Sequence, residues 1–131
     1  MESEGMDPAK VILDHQDGTE NPTPDYFLSL AQRGAFVAFD GFGEEHYNDE
    51  MSHVHPRDID RAEFVKHLIE AGYVENVLLS HDIAHKNHYR KFGGHGYGHI
   101  LKTIVPMLRE LSVTDAEIRR ILVDNPMRSV A

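Results

Sequence analysis

The strongest constraint on this chain is Val77-Leu78-Leu79-Ser80-His81-Asp82, an apolar run too short for a helix that ends on an imidazole and a carboxylate. Two earlier runs share the pattern. Val11-Ile12-Leu13 ends in Asp14-His15, and Ala35-Phe36-Val37-Ala38-Phe39 ends in Asp40. Short runs that are apolar on both faces belong to a parallel sheet covered by helices, and their polar ends then share one rim.

The segments between the runs read as helices. Thr23 is an N-cap with Pro24 at the first helical position, and Tyr26, Phe27, Leu30 and Ala31 share a face closed by Gly34. Asp60-x-x-Glu63 reads as the capping pair of a second helix, with a buried stripe of Phe64, Val65, Leu68 and Ile69 ending at Gly72. A third helix carries Ile100, Leu101, Ile104, Val105 and Leu108, and Pro106 predicts a kink or break within it. Thr114 and Glu117 form a capping box for a fourth helix through Ile118, Ile121 and Leu122, which Asn125-Pro126 is expected to stop. Right-handed crossovers place the three strands side by side in chain order. Long polar loops leave the strands and short ones enter them, the asymmetry of a (β/α) barrel with its chemistry on the C-terminal rim. The expected fold is therefore α/β: a partial (β/α)8 barrel, three parallel strands with covering helices, forming a single partial domain over 1–131.

Composition removes several function classes. The chain has 131 residues, no cysteine and a net charge of −9, so disulfides and thiolate metal sites are excluded and no nucleic acid partner is expected. No apolar run approaches the ~20 residues of a membrane span, and no membrane partner is expected. Met1-Glu2-Ser3-Glu4-Gly5 lacks the order of a secretory signal, and with the missing cysteines this predicts a cytoplasmic protein. Ser3-Glu4-Gly5 resembles a helix end without its helix, so the chain reads as truncated.

His15 and Asp82 are the favoured ligand pair, because imidazole nitrogen and carboxylate oxygen both bind zinc at ~2.0–2.2 Å. Their strands would lie roughly 10 Å apart at the backbone, a gap that inward side chains of a curved barrel can span. Successive strand residues face opposite ways, so only one of His81 and Asp82 can point inward, and spacing leaves both open. Asp40 can orient a ligand or water, or bond the amides of the turn after it. The ten histidines make a metal reading worth testing. His53-x-His55 has metal-pair spacing, but it lies in an acidic loop and reads as solvated. His85, His88, His95 and His99 read as loop residues, some near the pocket mouth. Gly93 to Gly98 fails the dinucleotide pattern and reads as a flexible hinge.

With these residues in view, the chain resembles the carboxyl-terminal half of the phosphotriesterase family, in the amidohydrolase superfamily. The resemblance rests on Val11 to Asp17, on Arg33-Gly34-Ala35 and Phe39 to Gly43, and on Leu78 to Asp82. It continues through Phe92-Gly93-Gly94, Gly96-Tyr97, Ile100-Leu101 and Val105-Pro106 to Asn125-Pro126. It implies a (β/α)8 barrel with two bridged divalent metals, usually zinc, and a metal-activated water that hydrolyses a small-molecule ester such as a phosphotriester or lactone. By position His15 resembles the metal ligand after strand six. Asp82, which the resemblance favours over His81, resembles the strand-eight aspartate that binds metal and moves the proton. Asp40 and Gly41 fall at the substrate side of strand seven. Gly41 stands where the family commonly has arginine or histidine, and Asp14 where it commonly has glycine. The ligands of strands one, four and five have no counterpart. The chain alone is therefore expected to be inactive and, with two open sheet edges, to form a homo-oligomer. The alternative is a non-catalytic half-barrel that pairs with itself or with another chain.

Overall fold

Phe36–Phe39 carries no polar side chain on either face, and all four residues are buried. This strand, β2, is the centre of the sheet. A computed structural model describes residues 4–49 and 52–131 of the chain; Ser3, part of the expected helix end, lies outside them. β1 (Ile12–Leu13) pairs parallel with β2 through Ile12 opposite Phe36 and Leu13 opposite Val37. On the other side β5 (Val77–Leu79) pairs parallel, with Val37, Ala38 and Phe39 opposite Val77, Leu78 and Leu79. The sheet order is β1-β2-β5, the three expected strands in chain order.

Alternation then divides the sheet. Val37, Phe39 and Val77 join the main core, with Phe27 and Ala31 of α1 (Pro24–Ala31), Val65 and Leu68 of α2 (Asp58–Glu70), and Ile104, Leu108 and Ile121 behind them. Phe36, Ala38 and Leu78 form a small separate cluster on the opposite face. Asp40 continues the parity of Phe36 and Ala38, so the sheet delivers it to the face away from the covering helices.

Local signals fix the helix ends. Thr23 Oγ1 accepts the Tyr26 N–H at 3.2 Å, and Gly34 closes α1 at φ +92. The start of α2 differs from expectation. Its capping residues are Arg57 and Asp60, whose carboxylate accepts the Arg57 backbone N–H at 3.0 Å, so Asp60 is the third helical residue and not the cap. Both interior prolines are absorbed by one device. Pro106 sits in the first turn of α3 (Val105–Glu110) after a π-helical turn, Ile100–Ile104, whose Ile100 carbonyl accepts the Val105 N–H. The Thr114 capping box opens α4 (Asp115–Arg119) as expected. A second π turn, Arg120–Asp124, then leads into α5 (Asn125–Ser129) with Pro126 in its first turn. Asn125-Pro126 therefore does not stop the helix. A proline leaves the carbonyl four residues back without a donor, and the wider turn re-registers the ladder around that gap. Asn125, fully buried, donates from Nδ2 to the carbonyls of Val74 and Val77, both at 2.8 Å, pinning α5 to the start of β5.

Two further expectations change. The stretch before α2 contains an antiparallel pair, β3 (Tyr47–Asn48) and β4 (His53–Val54), with Tyr47 opposite Val54 and Asn48 opposite His53. Gly93 to Gly98 is not a hinge. Gly94 N–H donates to the Tyr89 carbonyl at 3.1 Å and Gly96 N–H to the His88 carbonyl at 2.9 Å. A Cβ on Gly94 would lie 2.2 Å from the Asn87 carbonyl oxygen, so glycine is required by close packing.

Beneath the rim lies an ion pair. Arg61 of α2, with no solvent exposure, donates from Nε to Asp17 Oδ2 at 2.8 Å, and Asp17 is 1% exposed. Nη1 donates to the Glu44 carbonyl at 3.1 Å and to the Pro56 carbonyl. A buried pair that loses one member leaves an uncompensated charge. Arg61→Met is expected to lower the unfolding free energy by about 3–5 kcal/mol. Adding Asp17→Asn should restore much of the loss, as measured by urea unfolding of both variants.

Candidate active site

The site begins where β1 and β2 end. His15 adopts the left-handed conformation at φ 54, which turns the chain out of β1 and into the short 3-10 turn Gln16–Gly18. Its backbone N–H donates to both carboxylate oxygens of Asp40, at 3.0 and 3.1 Å. In return the Gly41 N–H donates to Asp17 Oδ2 at 3.0 Å. Each strand end therefore offers an amide to the other's carboxylate. Asp40 bonds the strand beside it and not the turn that follows it, and its Oδ2 also lies 3.3 Å from His15 Nδ1.

Gly41 is buried for a reason the sequence conceals. A Cβ there would lie 2.6 Å from Nη2 and 3.0 Å from Cζ of Arg61. The guanidinium, pinned by Asp17 and two carbonyls, fills the space over Gly41 and leaves no room for a side chain. The departure from arginine or histidine at this position is thus matched by an arginine reaching in from α2.

His15, Asp17, Asp40, Gly41, Glu44, His55 and Asp82 line one cavity of about 350 Å³. A second cavity of about 620 Å³ adjoins it, since Glu44, His55 and Asp82 line both. His81 is occupied elsewhere, with its Nε2 3.1 Å from the Tyr97 carbonyl. The four residues singled out from sequence, His15, Asp40, Gly41 and Asp82, therefore meet at one cavity. Among the described residues Asp14, His15 and Asp40 bring potential metal-ligand atoms within 4.8 Å of one another, and Asp82 does not join them.

Imidazoles make up much of the larger cavity wall: His46, His55, His85, His88, His95 and His99. The His53-x-His55 pair is not solvated. The β3–β4 pairing buries His55 and stacks it between His46 and His53, with ring centroids 4.9 and 5.2 Å away. His53 Nε2 donates to the Gly18 carbonyl at 2.9 Å, tying the hairpin to the turn after β1. His88 donates from Nδ1 to the Asp82 carbonyl at 3.0 Å, and His99 Nε2 donates to Asp58 Oδ2 at 2.5 Å. Burial, then the charges of neighbouring imidazoles, holds His55 and His95 below the ordinary histidine range.

Asp17, Arg61 and the histidine column escaped sequence reading. The signal for Arg61 lay in its spacing from Val65 and Leu68, which puts a cation on the buried stripe of α2. For the column it was the His53-x-His55 alternation itself.

Comparison with known proteins follows from this geometry. A model of the phosphotriesterase family matches residues 1–130. The chain is 36% identical to an N-acetyltaurine hydrolase of Salmo salar, over 98% of this chain and 37% of that protein. It superposes with a TM-score of 0.92 and 34% identity on a resiniferatoxin-binding protein from Rhodobacter sphaeroides, covering 98% of this chain and 36% of the other. A phosphotriesterase homology protein from Escherichia coli, solved with phosphate in its active site, gives a TM-score of 0.81 at 30% identity, over 95% and 40% of the two chains. The chain thus spans little more than a third of the length of the curated relative.

Asp40 has a pKa raised to about 6, first by burial and then by the charge of Asp17, against the opposing hydrogen bond and charge of His15. The folded state therefore binds this proton more tightly than the unfolded chain does. The resulting stability is fully present below pH ~4 and is lost as pH rises through about 6. In chelator, wild type is expected to lose stability relative to Asp40→Asn between pH 4.5 and 7. The change should be on the order of 1–2 kcal/mol, discounted because water partly screens the carboxyl. Urea midpoints of the two proteins across that range measure it.

Proposed function

Because this chain belongs to the phosphotriesterase family, we propose that it supplies the strand-six to strand-eight rim of a metal-dependent hydrolase acting on a small polar acyl compound. The observation that carries this reading is the convergence of three strand ends on a cavity walled by imidazoles and carboxylates. Among the described residues Ala84 is the one aliphatic side chain on the larger cavity. A phosphotriester bearing apolar substituents would find little apolar wall there, whereas an amide or lactone carbonyl would find hydrogen-bonding partners. The N-acetyltaurine hydrolases among the relatives favour an acyl amide.

In this reading His15 and Asp82, which line one cavity, would hold a divalent metal, and the nitrogen-and-oxygen donor set fits zinc. When bound, such a metal would supply polarisation of the scissile carbonyl and a lower pKa of water. Asp82 accepts the proton released on attack, from a position on both cavities. Asp40 fixes the His15 backbone, and Arg61 with Asp17 holds Gly41 beside the substrate. Two such ligands cannot build a bridged pair of metals, so catalysis requires donors from the remaining strands of a barrel.

Solvent-open flanks support association as a companion property. β1 and β5 each leave one edge unpaired among the described residues, and Met6, Pro8, Val11, Leu13, Leu30 and Ala35 line a groove of about 420 Å³ beside β1. An unpaired edge next to apolar surface favours strand addition, here by a second copy. Light scattering on the purified chain should return a dimer mass, and Ile12→Lys, which charges the half-exposed edge, should return a monomer.

The catalytic reading is tested in a chimera in which residues 1–130 replace the matching third of an N-acetyltaurine hydrolase. It should hydrolyse N-acetyltaurine, and Asp82→Asn within it should lower kcat at least 100-fold. A folded, zinc-loaded chimera that turns over a phosphotriester but not the acyl amide would reverse the substrate assignment. With the 131-residue chain alone and added zinc, acyl amide hydrolysis should stay at the buffer rate.

A further inference from the structure

We propose that the exit of β1 forms a divalent-cation site of its own from Asp14, His15 and Asp40, independent of Asp82. The three residues bring ligand atoms within 4.8 Å of one another. Their convergence follows from the sheet. Ile12 stands opposite Phe36, so Asp14 continues the parity of Ile12 while Asp40 continues that of Phe36, and both reach the same face. The left-handed turn at His15 then swings the ring back over Asp40.

A second observation points to a cation here. The Asp17 carboxyl is in side-chain contact with that of Asp40, and among the described residues Asp17 Oδ1 has no hydrogen-bond partner although Asp17 is 1% exposed. Arg61 and the Gly41 amide both serve the other oxygen, Oδ2. Two carboxyls thus face each other with one oxygen unserved, beside an imidazole and a third carboxylate. Among the described residues the Asp14 side chain makes no hydrogen bond, and Gln16 Nε2 donates to its backbone carbonyl instead. A positive ion seated on Asp14, His15 and Asp40 would offset the charge gathered there, with Asp17 in contact with Asp40.

One imidazole and two carboxylates suit a first-row divalent ion such as Zn²⁺ or Mn²⁺. The side chains of His15 and Asp14 are exposed, so the remaining coordination positions open to the cavity. This site shares His15 with the proposed hydrolase centre but does not rest on that reading, since its oxygen ligands are different residues.

Metal binding to the full 131-residue chain separates the two. The probes are Zn²⁺, titrated against a chromophoric chelator, and Co²⁺, read by its visible absorption. Wild type should bind one ion per chain. Asp14→Asn, which keeps shape and removes charge, should weaken binding at least tenfold, and His15→Asn, which tolerates the left-handed backbone, should do the same. Asp82→Asn should bind as wild type. Circular dichroism of each variant checks that the fold is kept, and Asp14→Glu, which retains the charge, should recover part of the affinity. Wild-type affinity in Asp14→Asn overturns the inference, as does the absence of any binding by wild type. Loss of binding in Asp82→Asn alone overturns it too while leaving the hydrolase reading intact.

Discussion

The buried Asp17–Arg61 pair is the interaction on which the rim depends. Neither partner is exposed to solvent beyond 1%, and each reaches it from a different part of the chain, the turn after β1 and the first turns of α2. Such a pair is not a cheap source of stability, because desolvating two charges offsets most of their attraction. Its value is geometric. One guanidinium bonds Asp17 and the carbonyls of Glu44 and Pro56, so the loop leaving β2 closes around it. The Gly41 amide then lands on Asp17, and the Asp40 carboxylate lands on the His15 amide. Two strand ends that would otherwise fray are locked together, with no apolar side chain needed at the seam.

The turn Gln16–Gly18 is the anchor for the outer parts as well. The β3–β4 hairpin has only two residues per strand, far too few to stand alone. It is held by the bond from His53 to the Gly18 carbonyl and by stacking of His55 on its neighbours. On the far side, Asp58 at the start of α2 takes the Gly43 amide at 2.8 Å on one oxygen and His99 on the other. The loops after β2 and β5 are thereby joined through one carboxylate. His95 lies flat on Gly43, where a Cβ would come within 2.4 Å of its ring. The cavity wall is therefore a packed structure in which glycines make room for rings.

Much of this was legible in sequence wherever a single local rule decides. The three strands followed from apolar runs, and Thr23, Gly34, Gly72 and the Thr114 box marked helix ends as expected. What failed was decided by partners distant in sequence. Asp60 was read as a cap because acids favour that place, but the helix begins two residues earlier and Asp60 folds back on Arg57. A proline removes one bond, which points to a kink or break at Pro106 and a stop at Pro126, and the π turn that carries the chain through both places leaves no mark in composition. Arg61 went unnoticed because its partner is Asp17, 44 residues away. His15, Asp40 and Asp82 lie at strand ends, Gly41 enters through the family resemblance, which also favours Asp82 over His81, and the sheet brings all four to one cavity.

The histidines show how such a wall selects its contents. His53, His88 and His99 each commit one ring nitrogen to a carbonyl or carboxylate of the chain, which fixes the ring and leaves the other nitrogen without that bond. His55 and His95 are driven toward the neutral form by burial and by each other's neighbours. An ionised carboxylate can only accept hydrogen bonds. The wall, with Glu44, Glu45 and Asp82, therefore offers acceptors to whatever enters. A ligand that is itself a donor, such as an amide N–H, satisfies those groups. One with only acceptor oxygens, such as a phosphotriester, leaves them unpaired in a place where unpaired polar groups are costly. The carboxylates of the wall thus support the proposed preference for an acyl amide, together with the shape they enclose.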